Sequence, residues 1–122
     1  MHELAVCQGI LDVVGGAVGR LPPPPPRVAA VTVRVGRLTA VVPDSLRYHW
    51  ELRTRGTGLE GTALVLEEVP IRARCAECAA RFEIETLAFW CPHCGSGLVE
   101  LLSGRELHVV SLETAEGVSS GS

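Results

Sequence analysis

Four cysteines in the second half of the chain are the residues whose spacing most clearly indicates chemistry. Cys75 and Cys78 form one C-x-x-C pair, Cys91 and Cys94 form another, and twelve residues separate the two pairs. Two pairs at this separation are typical of one tetrahedral site built from four thiolates. Each pair can form a tight turn whose backbone N–H groups point at sulfur. Gly95 can supply the positive φ that follows such a turn.

Zinc is the metal that this pattern favours, because four thiolates offer soft tetrahedral ligation and zinc needs no redox chemistry. The pattern leaves open two disulfides, four free thiols, or the iron centre of a rubredoxin-like electron carrier. In a reducing compartment, paired C-x-x-C units favour a metal over disulfides. Cys7, the fifth cysteine, is predicted to be a small core residue of a helix.

The first three residues, Met1, His2 and Glu3, form a second candidate metal site. The α-amine, with a pKa of about 7.7–8, can form fused chelate rings with the backbone and imidazole nitrogens of His2. Glu3 can supply a fourth ligand through its backbone nitrogen or its carboxylate. Such planar, exposed ligation suits Ni(II) or Cu(II) and delivery rather than storage. From spacing alone, an exposed histidine and an acid at a helix N-terminus are the simpler interpretation.

Hydrophobic patterns predict the elements that position these residues. Residues 3–19 are predicted to be a helix, with an apolar face at Leu4, Cys7, Leu11, Val14 and Val18, widened by Ile10 and Ala17. A second helix is predicted to begin at Pro43 and end before Gly56. Strands are predicted over 28–38, 62–69 and 106–113. The fold class that follows is α+β, with two helices packed on a three-stranded mixed β-sheet and an inserted four-cysteine zinc-ribbon-like domain.

The predicted elements divide the chain into two domains and a tail. Residues 1–70 with 105–113 are expected to form an α/β domain, and 71–104 a metal-binding insert. Residues 114–122 are polar and rich in glycine and serine, so we expect a flexible tail. The run Pro22–Pro26 is expected to be a stiff spacer of roughly 15 Å in the connection between helix and strand. A ligand for a proline-binding module is the alternative.

Composition narrows the classes of function. The net charge of −3 indicates no basic surface for nucleic acid. No apolar run is long enough to span a membrane, and no basic segment precedes an apolar one as in a secretion signal, so we expect a cytoplasmic protein. The sequence also lacks a nucleophile–base pair, paired acids and a phosphate-binding glycine loop. We therefore expect a protein that is not an enzyme.

The two cysteine pairs and the N-terminal Met-His-Glu together resemble the HypA/HybF family of hydrogenase maturation nickel metallochaperones. Three further stretches carry the resemblance: V-x-V-G-x-L at 33–38, G-T-A-L-V-L-E-E-V-P at 61–70, and G-R-E-L-H-V at 104–109. The resemblance covers nearly the whole chain apart from the proline run and the tail. The combination of these motifs is specific, although each one alone is not.

The resemblance implies a division of roles between the two ends of the chain. The α/β domain would carry Ni(II) at Met1, His2 and Glu3, with His2 as the essential imidazole ligand. The insert would hold a structural Zn(II) through Cys75, Cys78, Cys91 and Cys94. The implied partners are a nickel-binding GTPase of the maturation pathway and the large subunit of [NiFe]-hydrogenase. Some members also support urease maturation. The open edge of the predicted sheet permits a monomer or a homodimer.

The sequence departs from some members of that family at the zinc site. Those members carry a histidine directly after each cysteine pair and use it in an acid-dependent rearrangement, whereas this chain has Ala79 and Gly95. The pH response is therefore not transferred. His93 lies inside the second pair and is expected to face solvent.

A zinc-ribbon module that binds protein or nucleic acid is the alternative function. Arg72, Arg74 and Arg81 flank the cysteines, but Glu77, Glu83 and Glu85 offset their charge. A ribbon that binds nucleic acid should be basic there.

Overall fold

The computed structural model describes residues 2–86, 88–114 and 117–120. Residues 1, 87, 115, 116, 121 and 122, and the side chains of His2 and of 117–120, lie outside the described part. In chain order the elements are α1 (His2–Gly19), β1 (Val28–Gly36), a 3-10 turn (Arg37–Thr39), α2 (Pro43–Thr54), β2 (Ala63–Val69), β3 (Ile71–Cys75), β4 (Arg81–Ile84), β5 (Val99–Ser103), β6 (Leu107–Thr114) and β7 (Gly117–Ser120). The predicted helices and strands are therefore confirmed, with ends that differ by one or two residues.

The chain forms two compact units. The helix–sheet unit comprises Met1–Arg34, Val41–Glu67 and His108–Ser122. The cysteine unit comprises Val35–Ala40 and Glu68–Leu107.

The sheet of the helix–sheet unit has the strand order β2-β1-β6-β7. Thr62 Oγ1 donates a hydrogen bond of 2.7 Å to the Val28 carbonyl, where both strands begin. Further along, Arg34 lies 3.2 Å from the Glu67 carboxylate, so β1 and β2 run parallel, with α2 as the crossover between them. The β6 and β7 strands pair antiparallel. The predicted mixed sheet and the α+β fold class are confirmed, but the sheet has four strands instead of three.

The additional strand, β7, comes from the segment predicted to be a flexible tail. Strand β6 ends at Thr114, and the segment Gly117–Ser120 pairs antiparallel with β6. In this register Thr114 lies opposite Gly117, and Ser111 lies opposite Ser120. The prediction of a flexible tail is wrong for these residues. Pairing at a sheet edge uses only main-chain N–H and C=O groups, so a polar sequence can join the sheet without burying apolar side chains.

The buried face of α1 matches the predicted one except in the first turn of the helix. Cys7, Ile10 and Val14 are buried, whereas Leu4 is 39% exposed. Glu3 continues the buried face at its N-terminal end, where it is only 6% exposed. Glu3 and Leu4 precede Cys7 by four and three residues, so either one can extend the face that contains Cys7 and Val14. A prediction from hydrophobicity selects Leu4, because a hydrophobicity pattern does not anticipate a buried carboxylate. The predicted core position of Cys7 is confirmed.

Helix α2 begins with Pro43 at its first position, where the missing N–H removes no helical hydrogen bond. Its buried residues are Leu46, Trp50 and Thr54. The indole Nε1 of Trp50 donates a hydrogen bond of 2.9 Å to the Thr62 carbonyl, which satisfies the buried ring nitrogen. Within the ranges given above, no helix is both long and apolar enough to cross a membrane.

The cysteine unit contains a second sheet, with the strand order β4-β3-β5. Both neighbours of the central strand, β3, pair antiparallel with it. Its buried centre consists of Ile71, Ala73 and Ile84, against which partly buried hydrophobic residues pack. The segment between the two cysteine pairs contributes one strand, β4, to this three-stranded sheet.

The end of β1 and the 3-10 turn belong to the cysteine unit, although the sequence assigned them to the α/β domain. The backbone N–H of Gly36 donates to the Glu106 carbonyl at 2.6 Å, and that of Leu38 donates to the Gly104 carbonyl at 2.8 Å. Leu38 also packs against the Ile71 cluster. A Cβ at Gly36 would lie 2.1 Å from the Gly104 carbonyl oxygen, so only glycine permits this close approach.

We predict opposite effects for two glycine-to-alanine substitutions. Gly36→Ala should lower stability by about 3 kcal/mol or more, because its Cβ meets backbone atoms that cannot move aside. Gly15→Ala should raise stability by about 1 kcal/mol, because the position is helical and has no other atom within 4 Å of the new Cβ. Thermal unfolding followed by circular dichroism measures both. Equal effects of the two variants would contradict the close approach at Gly36.

Candidate metal centre

The first cysteine pair forms the turn between β3 and β4. The backbone N–H groups of Glu77 and Cys78 each lie 3.4 Å from Cys75 Sγ and donate to it. The turn is closed by two backbone hydrogen bonds, from Ala79 N–H to the Cys75 carbonyl at 3.0 Å and from Cys75 N–H to the Ala80 carbonyl at 2.9 Å. This arrangement points two N–H dipoles at one sulfur atom and therefore favours its thiolate form.

The second cysteine pair repeats the same hydrogen-bond pattern. His93 N–H donates to Cys91 Sγ at 3.3 Å. Gly95 N–H donates to the Cys91 carbonyl at 2.8 Å, and Cys91 N–H donates to the Ser96 carbonyl at 2.8 Å. The predicted turns with N–H groups directed at sulfur are confirmed at both pairs, as is the positive φ of Gly95, which is +78°.

The two turns bring the four cysteine sulfurs together, all within 4.8 Å of one another. Cys75 Sγ lies 3.6 Å from Cys94 Sγ, and Cys78 Sγ lies 3.6 Å from Cys91 Sγ. A disulfide bond is about 2.05 Å long, so these sulfurs are not bonded to each other. A tetrahedral ion with metal–sulfur distances of about 2.3 Å requires sulfur separations of about 3.8 Å. The four-cysteine cluster therefore fits one metal ion.

The electrostatics of the cluster also favour a cation. The N–H of Cys78 and further hydrogen bonds lower the pKa of the Cys75 thiol to about 7. The N–H of Ser96 lowers the pKa of Cys94, but the neighbouring thiols and burial raise it overall to about 12. Thiols this close cannot all ionise together, because each thiolate disfavours the next. A divalent cation removes that repulsion and displaces the remaining thiol protons when it binds.

Other candidate ligands lie apart from the cluster. The side chain of His93 is exposed, as predicted, and is not part of the four-sulfur group. His49 packs edge-on against Tyr48, with ring centroids 5.8 Å apart. Among the described residues, the four cysteines are the only group of three or more histidine, cysteine or acidic side chains arranged to hold a metal.

The predicted nickel ligands lie at the start of α1. Met1 and the side chain of His2 lie outside the described residues, so the three-residue set stays a prediction. Glu3 lies within the described residues. A delivery site was expected to have exposed ligands, but the Glu3 side chain does not fit that expectation. It is buried, and its Oε2 accepts a hydrogen bond of 3.2 Å from the backbone N–H of Val42. Glu3 precedes the buried residues Cys7, Ile10 and Val14 by four, seven and eleven residues, and this spacing, typical of one helical face, is the signal in the sequence for its burial.

The family described as "Hydrogenase/urease nickel incorporation, metallochaperone, hypA" matches residues 1–114. This chain belongs to the HypA family. The matched range includes both the N-terminal Met-His-Glu and the four cysteines, and the predicted resemblance is thereby confirmed. Because HypA proteins are metallochaperones, the expectation that this chain is not an enzyme is confirmed as well.

Individual HypA proteins are similar to the chain over nearly its full length. The hydrogenase maturation factor HypA of Desulfosudis oleivorans is 45% identical over 120 residues, covering 95% of this chain and all of that protein. That of Streptomyces avermitilis is 45% identical over 118 residues, covering 96% and 89%. The solution structure of the Ni metallochaperone HypA from Helicobacter pylori matches with a TM-score of 0.62 at 21% identity, covering 93% and 97%. At that identity the structural likeness shows the fold alone.

Ala79 occupies the position in the first turn that Gly95 occupies in the second, and its φ is +64°. Alanine in this conformation is strained by about 1–2 kcal/mol. We predict that Ala79→Gly raises the thermal midpoint of the metal-loaded protein, with a gain of about 0.5–1 kcal/mol after the greater flexibility of unfolded glycine is subtracted. Thermal unfolding with metal present measures this.

Two substitutions in the second turn serve as controls. Gly95→Ala should destabilise by about 1 kcal/mol, because it places a Cβ at φ +78° without any steric contact. Gly97→Ala should raise stability slightly, by about 0.5 kcal/mol, because alanine adopts its φ without strain and no atom lies within 4 Å of the new Cβ. A decrease in stability for Ala79→Gly would contradict the strain assigned to Ala79.

Proposed function

We propose that this protein is a nickel carrier that binds Ni(II) through Met1, His2 and Glu3 and delivers it to the large subunit of [NiFe]-hydrogenase. The family description names nickel incorporation for hydrogenase or urease. The relatives of this chain are named as hydrogenase maturation factors, which favours hydrogenase as the recipient.

The observation that carries this proposal is the closed geometry of the four-cysteine cluster. Four thiolates saturate a tetrahedral ion and leave no open position. A centre of that kind retains its metal, whereas a carrier must release its cargo to another protein. The nickel site of a carrier is therefore expected elsewhere, and the sequence predicts that Met1, His2 and Glu3 can chelate one ion.

The helical position of these residues supports chelation by backbone nitrogens. The α1 helix begins at His2. The first four N–H groups of an α-helix have no carbonyl partner within the helix. Hydrogen bonds within the helix therefore make no demand on the backbone nitrogens at this end of α1. The backbone nitrogen of His2, the α-amine and the imidazole together form a nitrogen-rich set that suits Ni(II).

The four cysteines hold a structural Zn(II) in this proposal. Cys75 and Cys91 are buried and Cys78 and Cys94 are exposed, so the ion would lie at the surface of the cysteine unit with two ligands on its inner side. Zinc bound there neutralises the thiolates and cross-links the two turns. The centre therefore stabilises a surface that partners can recognise.

The proposed partners are those implied by hydrogenase maturation: a GTPase that also binds nickel, and the hydrogenase large subunit. We expect delivery to take place in the cytoplasm, with the carrier as a monomer or a homodimer. The α/β domain carries the nickel and the cysteine domain provides the zinc-stabilised surface.

We predict that nickel affinity depends on the free N-terminus and on His2. Untagged, zinc-loaded protein should bind Ni(II), and His2→Ala should weaken binding by roughly 100-fold or more, because loss of a ligand costs at least as much as loss of a residue that supports one. An extra residue before Met1 should weaken binding similarly by moving the α-amine. Calorimetric titration measures these affinities.

His108→Ala is the matched control for the nickel titration. His108 is exposed on β6, outside the cysteine cluster. The His108→Ala protein should bind nickel as tightly as the unaltered protein. Unchanged affinity in both His2→Ala and the extended protein would contradict the proposed nickel site.

We predict that chelation loosens the cysteine unit and leaves the helices intact. Both α1 and α2 lie in the helix–sheet unit, so the far-UV circular dichroism of helix should persist after zinc is removed. Tryptophan fluorescence reports on the two units separately, since Trp50 is buried in the helix–sheet unit and Trp90 is exposed in the cysteine unit.

Metal analysis should give one zinc ion per chain, and the protein solution should be colourless. A red protein would indicate iron, and loss of helix on chelation would contradict two separable units.

A further inference from the structure

The carboxylate of Glu3 occupies a core position at the N-terminal end of the buried face of α1. It precedes Cys7, Ile10 and Val14 by four, seven and eleven residues, which is the spacing of one helical face. Those three side chains are buried and apolar, and Glu3 is buried to nearly the same extent. A buried carboxylate is costly unless it is hydrogen-bonded, so its partner determines what it does.

One hydrogen-bond donor to the Glu3 carboxylate lies where α2 begins. Val42 is the N-cap residue of α2 and has an extended backbone conformation, and its side chain provides no cap. Its backbone N–H donates to Glu3 Oε2 at 3.2 Å across 39 residues of sequence. The N-terminal end of a helix carries a partial positive charge that favours a nearby carboxylate. Glu3 therefore links the first turn of α1 to the start of α2.

Stability alone does not explain a carboxylate at this position. A leucine of similar size would fill the space without the desolvation that a charged group requires. Leucine cannot, however, fix the first turn of α1 to a particular backbone atom of α2. A directional hydrogen bond does so, and residues 1–3 are those that the proposed nickel site needs in a defined arrangement.

We infer that Glu3 is a positioning residue for the nickel site, and that its carboxylate is not itself a nickel ligand. The inference rests on the proposed binding of nickel at Met1–Glu3. The hydrogen bond to Val42 holds the start of the helix in place before nickel arrives. The chain then loses less conformational freedom when the amine and the nitrogens of His2 close around the ion.

Three substitutions at Glu3 separate positioning from ligation and from stability. Glu3→Gln keeps an acceptor for the Val42 N–H but removes the negative charge of a carboxylate ligand, so it should retain nickel affinity. Glu3→Leu should fold with nearly the same thermal midpoint but bind nickel roughly 10-fold more weakly or worse, as is typical when a group that orients metal ligands is lost. Glu3→Asp keeps the charge but is too short to reach Val42, and should behave like Glu3→Leu.

The measurements use untagged, zinc-loaded full-length protein, with Met1 confirmed by mass spectrometry. Nickel affinity comes from calorimetry, and the visible spectrum of bound Ni(II) reports its ligand set. The spectrum should be the same for the unaltered protein, Glu3→Gln and Glu3→Leu. Glu51→Leu, at an exposed acid of α2, is the surface control and should change neither affinity nor spectrum.

The donor side of the hydrogen bond offers an independent test. Val42→Pro removes the N–H without altering residues 1–3, and the φ of −89° at this position lies near the range that proline adopts. It should weaken nickel binding about as much as Glu3→Leu, by roughly 10-fold. The double variant should be no weaker than either single one, because both remove the same interaction.

The possible outcomes distinguish this inference from the nickel proposal. If nickel binds and depends on His2, but Glu3→Leu binds it as tightly as the unaltered protein, the positioning role is excluded. If Glu3→Gln loses as much affinity as Glu3→Leu and its spectrum changes, the carboxylate is a ligand and the inference is wrong. If His2→Ala has no effect, the nickel proposal itself fails.

Discussion

Four sulfur atoms within 4.8 Å of one another are the constraint on which the cysteine unit depends. Each thiolate disfavours ionisation of its neighbours, and the backbone N–H groups of the two turns offset only part of this repulsion. The unit has a small core centred on Ile71, Ala73 and Ile84. A core of this size contributes little stability, so a bound cation is the cross-link that such a small unit needs.

The closed geometry of that centre also shapes the proposal for the rest of the protein. A site with every position filled suits a resident ion, and the proposed cargo therefore lies at the opposite end of the chain. There the ligands belong mainly to the backbone and to His2, which makes their arrangement sensitive to how the helix is held. The bond between Glu3 and Val42 supplies such a restraint. The two proposed metal sites thus depend on different physical principles. In the cysteine cluster the four thiolates fill every coordination position, whereas at the N-terminus the ligands are held in place before the ion binds.

The features predicted well from the sequence are those set by neighbouring residues. Val31, Val33 and Val35 occupy alternate positions of β1, as in a strand with one buried face, and all three are buried. The C-x-x-C pairs gave the turns with N–H groups directed at sulfur, since these hydrogen bonds span only two or three residues. The V-x-V-G-x-L and G-R-E-L-H-V stretches were recognised as motifs. Their reason, a close backbone approach of Gly36 to Gly104, was not visible from either stretch alone.

The sequence by itself determined the two helices, the strands β1, β2 and β6, the four-cysteine cluster and the family, because each depends on local periodicity or on fixed spacing. Only the tertiary structure decided that Glu3 and not Leu4 is buried in the first turn of α1, that Gly117–Ser120 joins the sheet, and that Val35–Ala40 belongs with the cysteine unit. The first and third of these features depend on hydrogen bonds between residues far apart in the chain, and the second depends on main-chain pairing of neighbouring strands, which a pattern of side chains does not reveal. The burial of Glu3 is the clearest case, since a charged residue is placed in a core only when a distant partner is there to receive it.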